Sequence, residues 1–221
     1  MPNALTHYTL LADLFQYPDA GFADGVRRVQ AFLDRQYPEA GAALEAFTDF
    51  VSRASVIEQE ELFTRSFDVQ AVTTLDLGYV LFGDDYKRGA LLVNLNREHR
   101  EAGNPCHNEL ADHLPNVLCL LPKLQDAALR DELVEKIVAP ALRKIINEFD
   151  PEKISRKKKV YLKHHKTWIE RSEDYGTIYR STLVALYTVL VEDFQVTVTA
   201  PPRPTSDFLK NIGTEIELEA E

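Results

Sequence analysis

The sequence predicts an all-α protein, a single-domain helical bundle, on three observations. Apolar residues recur at helical spacing along most of the chain, start and stop signals bracket those stripes, and strand signals are scarce. Leu10, Leu11, Leu14 and Phe15 form a first stripe that ends at Tyr17-Pro18, where proline stops the helix. Val26, Val29, Phe32 and Leu33 make a second, closed by Tyr37-Pro38, and Leu44, Phe47, Phe50 and Val51 a third. Ser55 with Glu58 three residues on is a capping box, opening a helix that carries Ile57, Leu62 and Phe63.

Further along, Asn104-Pro105 places a capping side chain before a proline at a first helical position, which predicts a helix start there. Asp112 is the alternative cap, for a helix beginning at His113 with Pro115 in its first turn. From Asp126 to Phe149 the positions Leu129, Leu133, Ile137, Leu142, Ile145 and Phe149 keep helical spacing, and Pro140 is expected to kink or divide that run. Ile178 to Phe194 is apolar nearly all round, as in a centrally buried helix. Residues 195–199 alternate in polarity with no second strand to pair with, so they read as an extended exit from the last helix. The domain is expected over residues 1–199, with a proline-rich and then acidic tail over 200–221 that its composition makes mobile.

Bulk properties narrow the function. The chain has 221 residues, 45% of them hydrophobic and 27% charged, enough to bury a core without a disulfide or metal staple. Its two cysteines, Cys106 and Cys119, form no disulfide framework, which fits a reducing compartment. The N-terminal residues lack the basic and apolar regions of a secretory signal. The longest apolar stretch, Leu183 to Val191, falls short of the ~20 residues a membrane helix needs. A cytoplasmic location is therefore expected. With 35 acidic against 25 basic residues the formal charge is −10, which disfavours nucleic-acid binding and favours basic partners.

Catalytic signatures are missing where they would be sought. Gly78 and Gly83 have the spacing of a phosphate loop, but Asp84 and Asp85 stand where lysine and a hydroxyl residue must follow, so a helix end and turn around Gly83 is expected instead. Cys106, His107, His113 and Cys119 are spaced too widely to share one helical face as zinc ligands. No histidine has a glutamate three residues before it, as a di-iron bundle requires. The one basic block, Arg156 to Lys159 with Lys163 and Lys166, lies opposite a face of Ile154, Tyr161, Leu162, His165, Trp168 and Ile169. It reads as the solvated side of an amphipathic helix or as a docking surface for an acidic partner.

One constellation stands out. Glu109, Asp112 and His113 fall at i, i+3 and i+4, which on a continuous helix puts all three on one face beside Leu110, Leu114 and Leu118. That is the pattern of a polar site on the wall of an apolar groove, or of a capping aspartate with a surface histidine.

The stretch NELADHLP at residues 108–115 resembles the E-x-x-D-H-L-P signature of the TorD/NarJ family of molybdoenzyme assembly chaperones. Upstream, EELFTRSFD at 60–68 is similar to that family's E-x-Y-x-x-L-F-D segment, with Phe63 at the tyrosine and Ser66 at the leucine position. LFGDDYKRG at 81–89 resembles the L-F-x-x-x-x-x-R-G block of its nitrate reductase branch, followed by the amphipathic stretch Ala90 to Leu95. The blocks cover roughly residues 58–121 in matching order.

The resemblance implies a TorD/NarJ-like helical fold and no enzymatic activity. It implies a cytoplasmic chaperone in nitrate assimilation that binds the unfolded N-terminal peptide of the catalytic subunit of a nitrate reductase-like or nitrite oxidoreductase-like enzyme. It also implies help with molybdenum cofactor insertion before membrane attachment or export. Such a chaperone binds no cofactor stably; it handles a client that carries molybdopterin guanine dinucleotide. The implied client-binding residues are Glu109, Asp112, His113, Leu114 and Pro115, with Leu81, Phe82, Tyr86 and Arg88 behind them. Competing readings are a general chaperone for twin-arginine signal peptides, a helical metal-dependent enzyme, and a permanent subunit of the mature enzyme.

Overall fold

Proline and capping side chains set the starts of several helices in the computed structural model, which describes residues 5–157 and 177–196. Among these the chain is all-α, with no strand beyond a single antiparallel bridge between Asp76 and His113. Helix α1 (His7–Ala12) continues as a 3-10 turn to Phe15; α2 (Phe22–Gln36) gives way to α3 (Pro38–Arg53), with proline in the first turn where its missing N–H costs nothing. Ser55 and Glu58 form the expected capping box for α4 (Val56–Phe67). Helix α5 (Leu77–Phe82) stops at Gly83, whose φ of +66° suits glycine and ends the helix as anticipated. Then follow α6 (Tyr86–Glu101), α7 (Leu114–Leu120), α8 (Ala127–Leu133), α9 (Ala139–Glu148) and a last helix, Ile178–Phe194.

One expectation changes. No helix starts at Asn104-Pro105: residues 102–113 form turns, His107 adopts a positive φ, and α7 begins only at Leu114 with His113 as N-cap. The run from Asp126 is divided just ahead of Pro140, as expected, by a π turn over Val134–Val138 between α8 and α9. The wider turn re-routes the backbone where the ring would collide with the carbonyl four residues back. Of the apolar residues read onto α4, Leu62 and Phe63 are buried and Ile57 is 73% exposed.

The residues fall into two compact units. Among the described residues the first comprises 5–16, 75–142 and 190–196, the second 17–74, 143–157 and 177–189. In the first, α1 packs on α7, and Tyr8, Leu11, Leu114 and Leu118 on these two helices are fully buried. His7 Nε2 and the Tyr8 hydroxyl meet the Asp193 carboxylate at 2.8 and 2.9 Å. In the second, α2 and α3 form a hairpin, and Phe47, Phe63, Phe67 and Phe149 gather around Tyr179 or each other at ring distances of 4.8–6.1 Å. Burial pushes the Tyr179 phenol far above its ordinary pKa. Phe63 and Ser66, the two departures from the chaperone segment, are both core residues here; the Ser66 hydroxyl donates to the Leu62 carbonyl at 2.7 Å. Gln59, also buried, ties α4 to the end of α3 by donating to the carbonyls of Val51 and Ala54.

Lys158, Lys159, Lys163 and Lys166, with Tyr161, Leu162, His165, Trp168 and Ile169, lie outside the described residues, as do residues 197–199 and the tail from 200. Arg156 and Lys157, at the start of the basic block, are exposed and paired with Glu152 and Glu148. No helix among the described residues is long and apolar enough to cross a membrane.

Candidate functional site

Asp112, Arg88, Asp76 and His113 form one polar node within the first unit. Asp112 is wholly buried, and its Oδ2 accepts from Arg88 Nε at 3.1 Å and from the Gly78 amide at 3.1 Å. Arg88 reaches from the first turn of α6 and bridges two carboxylates, since its second arm donates to Asp76 Oδ2 at 3.0 Å. Asp76 Oδ1 in turn meets His113 Nδ1 at 3.0 Å, so the imidazole presents its Nδ1–H to the carboxylate. Backbone bonds clamp the two segments: the Leu77 amide donates to the Asp112 carbonyl at 3.0 Å and the Leu114 amide to the Leu75 carbonyl at 2.9 Å. Tyr79 lies over the Arg88 guanidinium, 5.2 Å from its ring centroid, in cation–π geometry.

Sequence explains why this packs. Gly78 sits where a β-carbon would come within 2.7 Å of Asp112 Oδ2 and 3.0 Å of Leu91, so only glycine lets α5 approach both. Asp76 has the residue type of an N-cap for α5, yet its carboxylate makes no capping bond; it turns instead to Arg88 and His113. The His113 hydrogen bond and the nearby cations hold the Asp76 carboxyl below the usual carboxylate range, against the opposing effect of burial. Burial pulls the Arg88 pKa down, but Asp112 and Asp76 outweigh it and the guanidinium ends above its ordinary value.

A second buried network stiffens the turns that lead to Asp112. His99 Nε2 bonds the Ala111 carbonyl at 3.0 Å, and the Asn104 amide donates to His99 Nδ1 at 2.9 Å and to the Asn116 carbonyl at 3.0 Å. Lys123 donates to Asn104 Oδ1 at 2.7 Å, which fixes the orientation of that amide and with it the Nε2–H tautomer of His99. Burial lowers the His99 pKa, and the Lys123 charge lowers it further.

The proposed client-binding residues therefore occupy very different positions. Asp112, Leu114 and Pro115 are buried, as is Leu118, so they form core and node rather than the wall of an open groove. His113 and Arg88 are mostly covered, with 17% and 16% of their side chains exposed. Leu81 and Phe82 are half-buried. Glu109, Leu110 and Tyr86 face out, and Glu109 approaches His113 to 4.0 Å. The helical face expected for 109–113 does not exist; a turn and the Asp76 bridge bring Asp112 and His113 together instead. Sequence reasoning missed Asp76, His99 and Asn104, and saw Gly78 only as half of a false phosphate loop. The one available signal was Asp76 just ahead of an apolar run, a cap-type residue that announces the start of α5.

No protein-family model matches the chain, and no curated protein matches it. The likeness to the TorD/NarJ chaperones accordingly rests on the three sequence blocks.

Proposed function

We propose that this chain is a non-catalytic, cytoplasmic assembly chaperone of the TorD/NarJ kind. It holds the N-terminal segment of the catalytic subunit of a nitrate reductase-like molybdoenzyme while that subunit receives its molybdopterin guanine dinucleotide cofactor. The observation that carries this reading is the ion pair between Arg88, in the block at 81–89, and Asp112, in the block at 108–115. Two of the resembling blocks are thus one structural unit, and the residues they share with the chaperone pattern have a physical reason to occur together. Around that unit Tyr79 and Leu110 are 43% and 49% exposed, and Glu109, the neighbour of Leu110 in the chain, is exposed as well. Exposed apolar groups beside acidic ones suit a basic amphipathic segment that folds on contact. Ordering such a segment consumes about 2–5 kcal/mol of the gross interaction, so release stays easy.

Copurification from native cells with mass spectrometry identifies the client, and calorimetry with that client's N-terminal peptide measures the contact. Tyr79→Ala, Leu110→Ala and Glu109→Gln are each expected to weaken peptide binding several-fold with the circular dichroism spectrum unchanged. A client list without a molybdoenzyme subunit, or binding indifferent to all three substitutions, ends the reading.

A further inference from the structure

Helix α6 carries apolar residues on two faces. Leu91 and Leu95 are fully buried, while Tyr86 and Val93 are 52% and 70% exposed. Residues spaced by three and four share a helix face, so Tyr86, Gly89, Ala90 and Val93 make one outward stripe that continues to Arg97 and Arg100. Gly89 lies in the first turn of α6, and a β-carbon there would meet no atom of the described residues within 4 Å. The charges at the two ends of the stripe are opposite. Asp84 lies exposed just before the N-cap Asp85, Arg100 lies exposed near the C-terminus, and neither has an ion-pair partner among the described residues.

We propose that this face of α6 binds the same face of a second copy of the chain, the two helices antiparallel about a two-fold axis. An axis at the level of residues 91–92 sets Val93 of each copy against Ala90 of the other and Tyr86 against Arg97. It also brings Asp84 within side-chain reach of Arg100 on the partner. Only an antiparallel, isologous pairing joins the acidic end to the basic end twice over; a parallel pairing would set like charges against each other. The small residues at 89 and 90 allow the close approach that a lone helix pair needs. One helix pair buries less than the ~1,600 Å² of a standard interface, so the dimer is weak and appears with rising concentration. It goes beyond the chaperone reading and does not depend on it.

Sedimentation equilibrium of the full chain at about 0.15 M salt, where long-range self-repulsion is screened, reads the association directly. The average mass is expected to climb from 25.1 kDa toward twice that value as concentration increases. Val93→Glu keeps the chain monomeric. Asp84→Arg alone and Arg100→Asp alone each weaken association about ten-fold or more, because each sets like charges together at both ends. An equimolar mixture of these two variants regains the dimer, since every end then meets its opposite, and a defect of folding could not produce that recovery. Circular dichroism verifies that each variant is folded. A chain that stays monomeric into the millimolar range, a dimer untouched by Val93→Glu, or a mixture no better than either single variant overturns the proposal.

Discussion

Removing Arg88 would strand the Asp112 carboxylate in a place with no solvent contact, facing only the Gly78 amide. A buried charge that loses its partner typically costs about 3–5 kcal/mol, a large share of a domain's stability. Arg88→Ala is therefore expected to lower the urea midpoint markedly, while Glu109→Gln, on a side chain 61% exposed, leaves it within experimental scatter. Asp112→Ala likewise acts on the fold, so a loss of client binding in that variant reports unfolding rather than a lost contact. His99 gives a second test at this scale. Its folded pKa lies below the usual 6.5, so the unfolded chain takes up the proton more readily. Stability is then independent of this group above pH 6.5 and falls as pH drops through that value toward the folded pKa. Urea titrations between pH 5 and 8 are expected to show that fall, and a His99→Gln variant to show a flatter one. Asp76 adds a pH dependence of the same sign at lower pH: its stabilisation is present above the ordinary carboxylate pKa and disappears as pH falls through its depressed value.

Elements with local causes were legible in the sequence. Ser55 and Glu58 bond reciprocally, with Ser55 N to Glu58 Oε2 at 2.7 Å and Glu58 N to Ser55 Oγ at 3.4 Å, as their spacing predicts. Ser55→Ala is expected to cost about 1 kcal/mol in chemical denaturation, with the helix content of the native state retained. Pro18 and Pro38 bounded their helices for the same kind of reason, a ring that forbids one backbone conformation. The stretch from Asn104 to His113 went wrong because its conformation is decided from a distance. Asn104 has the residue type of a helix cap, yet its side chain is spent on His99, Asn116 and Lys123, up to 19 residues away. Asp112 and His113 are likewise fixed by Arg88 and Asp76, 24 and 37 positions earlier in the chain. A residue's candidacy for a site could be read from its type and spacing, but burial could not, and burial separates Asp112 from Glu109.

For the molecule as a whole, the excess of acid over base sets how a partner arrives. A chain with formal charge −10 at neutral pH draws basic segments from beyond contact range and repels acidic ones. Long-range attraction of this kind acts mostly on the association rate and decays over a Debye length of about 8 Å at physiological salt. Binding of a basic client peptide is therefore expected to slow about ten-fold or more between low and high salt in stopped-flow measurements, with the dissociation rate nearly unchanged. A peptide with its lysines and arginines replaced by glutamine should lose that salt dependence and keep the contribution of its apolar face. The exposed carboxylates of Glu109, next to Leu110 in the chain, and of Asp84 make a finer distinction. If those carboxylates steer the peptide, Glu109→Gln reduces the salt sensitivity of the on-rate more than substitution of an exposed acid in the second unit, such as Asp49. Equal effects at the two positions would mean that net charge alone draws the client in, and that the surface around the Arg88 node has no special part in its capture.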